Sequence, residues 1–66
     1  MTFSVDYKNN LWKIKISNSI DKTLGESLIK QSFLYVELDR EFIFSFESIS
    51  DFTDACCNLR DHGYYQ

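Results

Sequence analysis

Proline is absent from this 66-residue chain, and glycine occurs only at Gly25 and Gly63. Two isolated glycines exclude a phosphate-cradling loop, which needs several residues whose backbone can approach an anion without a Cβ in the way. Few sharp breaks in the chain are therefore available. Cysteine occurs only as the neighbours Cys56 and Cys57. A trans peptide holds adjacent Cα atoms about 3.8 Å apart, closer than a disulfide prefers. No disulfide framework is expected, which suits a reducing compartment. Histidine occurs once, as His62. Structural zinc sites draw four ligands from two spaced pairs, and that pattern is missing. Cys56 and His62 are six residues apart and point to different sides of a helix. Cys56 reads as a core hydrophobe and Cys57 as half-buried. No segment approaches the ~18 apolar residues of a membrane helix. Met1–Asp6 carries neither the basic region nor the apolar run of a signal peptide. The expected location is cytoplasmic, with no membrane partner. A basic excess is also missing: the net charge is −3. Proteins that track phosphates usually carry the opposite sign, so direct nucleic-acid binding is not the expectation.

What is present is aromatic. Six Phe, four Tyr and one Trp make up 17% of the chain. A single domain this short, residues 1–66, buries only about 60% of its unfolded surface. Large rings, each burying roughly 150–250 Å², compensate for the short chain.

Residues 2–17 read as a hairpin. Phe3, Val5 and Tyr7 alternate with polar residues, as do Trp12, Ile14 and Ile16 with lysines, and period two marks half-buried strands. Asn9-Asn10 suits a two-residue turn, because Asn tolerates positive φ. That turn places Tyr7 opposite Trp12, Val5 opposite Ile14 and Phe3 opposite Ile16, with Asp6 opposite Lys13 on the other face. A three-residue loop would mix the faces, so the first register is expected. Ile20, Leu24 and Leu28 follow at helical spacing, and residues 24–31 read as a short helix after a loop. Gly25 weakens it by about 1 kcal/mol relative to Ala.

Residues 33–46 read as a second hairpin, dominated by β-branched and aromatic residues. Its turn has two solutions. A two-residue loop groups Phe33 and Tyr35 with Phe42, Phe44 and Phe46. A three-residue loop groups Leu34, Val36 and Leu38 with those rings instead. Either way the second face stays apolar, and something must cover it: segment 24–31, another part of the chain, or a partner. Residues 48–62 read as a helix. Ser48-x-x-Asp51 resembles a capping box, and Ile49, Phe52, Cys56 and Leu59 form a stripe. Gly63 is a natural C-terminal cap. The expected fold is α+β: a small four-stranded antiparallel sheet in ββ(α)ββα order, with a C-terminal amphipathic helix packed on one face.

Asp61-His62 has no nucleophile and no cleft assigned to it, and a chain this small has little room for a pocket of ~300 Å³ or more. The chain is therefore not expected to be an enzyme, and no cofactor or metal is expected. Charge is unevenly placed. Lys8, Lys13, Lys15, Lys22 and Lys30 fall early, whereas Glu37, Asp39, Glu41, Glu47, Asp51, Asp54 and Asp61 fall late. Such patterns govern steering and specificity. The reading they favour is a small protein-binding module, an inhibitor or regulator that occupies a surface of a larger macromolecule. Its partner would be a protein or nucleoprotein complex with a basic surface. Glu47, Asp51, Asp54 and Asp61 would meet that surface, with Tyr35, Tyr64 and Tyr65 as anchors. In size and style alone, compact acidic domains of this kind suit inhibitors encoded by phages or mobile elements, such as anti-CRISPR or anti-defence proteins. Two alternatives stand beside it. One is a single-strand nucleic-acid binder using the Lys13/Lys15 strand. The other is a homodimer that closes its strand edges or the second-hairpin face.

Overall fold

Strand β1 (Phe3–Lys8) and strand β2 (Leu11–Ser17) form the first hairpin in the computed structural model, which describes residues 1–66. Asn9 and Asn10 take φ of 57° and 64°, the left-handed pair that matches the twist of the flanking strands. The register follows the buried face: Phe3 opposite Ile16, Val5 opposite Ile14, Tyr7 opposite Trp12. Asp6 stands opposite Lys13. Its Oδ1, however, accepts the Tyr7 backbone N–H at 2.9 Å and makes no ion pair.

The second hairpin joins β3 (Leu34–Leu38) to β4 (Glu41–Phe46). It closes on two residues, Asp39 and Arg40, with φ of 51° and 66°. Tyr35 therefore shares a face with Phe42, Phe44 and Phe46, while Leu34, Val36 and Leu38 share the other with Ile43. Phe33 falls outside β3; its N–H donates to the Ser45 carbonyl at 2.7 Å, and its ring is exposed.

The strand order is β1-β2-β4-β3, with every neighbour antiparallel. Strands β2 and β3 flank β4 and run parallel to one another, so their connection must cross over. Helix α1 (Lys22–Gln31) carries it, making a split βαβ unit. Asp21 caps this helix: its Oδ2 accepts the Leu24 N–H at 3.0 Å. The helix thus starts two residues before Leu24.

Helix α2 (Ile49–Asp61) follows β4. Ser48 Oγ accepts the Asp51 N–H at 3.4 Å, as the capping pattern anticipates. The buried stripe is Phe52, Ala55, Cys56 and Leu59, with Phe52 partly buried. Ile49 is exposed instead, because it sits in the first turn at the rim of that stripe. The helix ends in a Schellman arrangement. Gly63 has φ +84°, its N–H donates to the Arg60 carbonyl at 3.0 Å, and the Tyr64 N–H donates to the Leu59 carbonyl at 2.9 Å.

Both helices lie on one side of the sheet. The core joins Leu24 and Leu28 of α1 and Ala55, Cys56 and Leu59 of α2 to Phe3, Ile14, Ile16, Phe44 and Phe46. Those five strand residues all share the helix-facing side by register. Each fully buried side chain of this size is worth roughly 1.5–3 kcal/mol, so nearly all the hydrophobic stabilisation comes from this one side. Nothing within the chain covers the other.

Candidate functional site

The uncovered face has an ordered composition that follows from the strand registers. One row runs Ser4, Lys15, Ile43, Val36, and the next runs Asp6, Lys13, Ser45, Leu34. A third, at the turn end, runs Ser17, Glu41, Leu38. The face is therefore polar along β1, basic along β2 and apolar along β3. The Lys15 ammonium lies 3.5 Å from a Glu41 carboxylate oxygen, the one ion pair in the chain. Lys13 has no carboxylate within that reach. A shallow depression of about 340 Å³ lies among Ser4, Asp6, Lys13, Lys15 and Ile43.

Leu34, Val36 and Leu38 remain 50%, 42% and 68% exposed. Solitary surface leucines need no explanation, but a contiguous apolar stripe on one strand does. Strand β3 is also the sheet's edge, with a neighbour on one side only. Its sequence contains neither Pro nor Lys, and its single charge is Glu37. These are the devices that normally protect an exposed edge.

The residues singled out by sequence are dispersed. Tyr35 lies on the helix-facing side, stacked on Phe44 with ring centroids 4.9 Å apart. Its hydroxyl donates to Glu37 Oε1 at 3.0 Å. Burial, and then the Glu37 carboxylate, push the phenol above its ordinary value. Asp51, Asp54 and Asp61 are exposed on α2, within a sector of about 80° on its solvent side at 3.6 residues per turn. None of them has a cation within 4.0 Å. Glu47 is exposed in the loop before α2. Tyr64 is a correction. It is 4% exposed and part of the core, so its ring is not available as an anchor. The Schellman turn drives it inward, because the residue after the capping glycine packs back on the last helical turn. Tyr65 is exposed, and its backbone pairs with β1: its N–H donates to the Met1 carbonyl and its carbonyl accepts from Phe3, both at 2.8 Å.

The remaining chemical groups do not converge. Cys56 is buried and burial raises its thiol above the ordinary value, with the Arg60 charge opposing. Cys57 is exposed rather than half-buried, because it points away from the Phe52–Leu59 stripe. His62 Nδ1 lies 2.9 Å from the Asn58 carbonyl at the helix end. No three His, Cys, Asp or Glu side chains are grouped to hold a metal ion. No helix is long and apolar enough to cross a membrane. Lys13 and Lys15 share their face with none of the strand aromatics, which all point to the helices. Single-strand binders stack bases on rings beside their basic groups, and the strands place no ring beside these lysines.

Sequence reasoning anticipated an apolar second face but did not single out Leu34, Val36 and Leu38 as its exposed residues. Doing so needed the length of the Asp39-Arg40 turn and the side on which α1 packs. Comparison with known proteins adds nothing to assign them: no family model matches the chain, and neither does any curated protein or solved structure.

Proposed function

We propose that this chain is a protein-binding module that acts by occupying a surface of a larger macromolecule, and that its contact surface is the β3 side of the uncovered face. The supporting observation is the stripe of Leu34, Val36 and Leu38, left 42–68% exposed on an edge strand that carries neither Pro nor Lys. Such a stripe costs solubility while it stays in water, and a partner that covers it recovers that cost. Lys13 and Lys15, two strands away on the same face, favour a partner with carboxylates flanking an apolar segment.

A second reading places the contact on α2. The exposed carboxylates of Asp51, Asp54 and Asp61 support it, since none is paired within the chain, and they would suit a basic partner surface. The two readings separate in one experiment. Immobilised chain is used to retain binding partners from native cells, in parallel with V36D and D51K/D54K. The first reading predicts that V36D loses the retained partner and D51K/D54K keeps it. The reverse pattern transfers the function to α2. Both variants alter exposed side chains and should keep the native circular dichroism.

A further inference from the structure

We infer that the free edge of β3 is an interface with a second copy of this chain: two β3 strands pair antiparallel about a two-fold axis at Val36, merging two four-stranded sheets into one of eight. The inference rests on the reading that the β3 side is an association surface: the second copy fills the strand's edge and leaves the apolar stripe on its face to the partner.

The edge is self-complementary. Only a register centred on Val36 pairs all five residues of Leu34–Leu38. It sets Val36 against Val36, Leu34 against Leu38, and Tyr35 against Glu37 of the other copy. Apolar side chains then face apolar ones across the strands, the arrangement that stabilises sheets. The one charge on the strand meets a tyrosine and not its own copy. A register centred on Glu37 would oppose two carboxylates. The axis is normal to the sheet, so both helix layers stay on the same side and no strand has to move.

The other edge is closed at its start. The Tyr65 backbone bridges to Met1 and Phe3 with two hydrogen bonds of 2.8 Å, which closes the start of β1. Only β3 is free along its length. Stacking the uncovered faces is a poorer solution. A two-fold along the strands would lay Leu34, Val36 and Leu38 over Ser4 and Asp6 of the other copy. A two-fold across the strands would lay Lys13 and Lys15 over the same lysines. Edge pairing leaves both lysines in water, where their charge is cheapest to keep.

Five residues per strand make an interface smaller than the ~1,200 Å² of standard stable complexes. The dimer is therefore a reversible one that forms as concentration rises. Pairing also doubles the apolar stripe, with a basic row along each side.

Sedimentation velocity of the purified chain over a concentration series tests this. The mass should climb from 7.8 kDa toward twice that value. L34K/L38K sets like charges against each other at both ends of the register, and should weaken dimerisation by at least roughly tenfold. L34E/L38K sets opposite charges against each other and should restore it. All four side chains stand on the exposed face, and circular dichroism checks that each variant is folded. A wild-type monomer up to about 1 mM overturns the inference, as does a folded L34K/L38K that dimerises like wild type. An L34E/L38K that stays as monomeric as L34K/L38K overturns the two-fold at Val36. A monomeric chain whose V36D variant still loses its retained partner overturns the second copy alone and leaves the binding-surface reading standing.

Discussion

Arg40 holds φ at 66° in a conformation that costs a residue with a Cβ about 1–2 kcal/mol. It does so because the register of β3 on β4 requires a two-residue turn with positive φ at both positions. Glycine would remove that strain, at an entropic cost of about 0.5–1 kcal/mol. R40G should therefore stabilise the fold by roughly 0.5–1 kcal/mol. In a domain of this size that is a rise of about 2–8 °C in the melting midpoint, readable by thermal circular dichroism. The Arg40 carbonyl accepts the Asn18 N–H at 2.8 Å, a backbone bond that the substitution leaves in place. The same residue shows why the second turn was illegible in the sequence. Asn9-Asn10 advertises its turn through side chains that tolerate positive φ. Asp39-Arg40 does not, because strand pairing over-rides the local preference there. Tyr64 was legible in principle: an aromatic residue directly after a capping glycine is the mark of a Schellman contact.

At the scale of elements, the two glycines report opposite demands. Gly25 lies inside α1, where a Cβ would meet the Ile20 side chain no closer than 3.5 Å. Gly63 ends α2 at φ +84°. G25A should stabilise the fold by about 0.5–1 kcal/mol, the propensity difference in a helix interior. G63A should destabilise it by about 1–2 kcal/mol, because Ala resists the left-handed turn that directs Tyr64 into the core. Denaturant titration of both variants measures the two signs. The first hairpin and α2 were legible because periodicity, caps and turn residues agreed. The strands of the second hairpin were legible and their facing was not, since apolar residues occupy both of its faces. Helix α1 was legible from Leu24 and Leu28, but the helix-weakening Gly25 hid its start, which the Asp21 cap sets two residues before Leu24.

For the whole molecule, the deciding fact is where α1 lands. Periodicity alone does not say over which side of the sheet the crossover between β2 and β3 passes. It packs beside α2, so one side of the sheet holds the core and the other meets water. Polar, basic and apolar rows cross that open side, and the apolar row runs along a free edge. This arrangement carries both the binding-module reading and the edge-paired dimer. The acidic side of α2 is a separate surface, turned away from the sheet. The most direct test is methyl relaxation in the NMR spectrum of dilute protein, with a soluble paramagnetic probe in the solvent. The account predicts strong enhancement at the methyls of Leu34, Val36 and Leu38, and little at Ile14, Ile16, Leu24 and Leu28. Equal protection at Leu34, Val36 and Leu38 would contradict it, because the chain itself would then be covering the face.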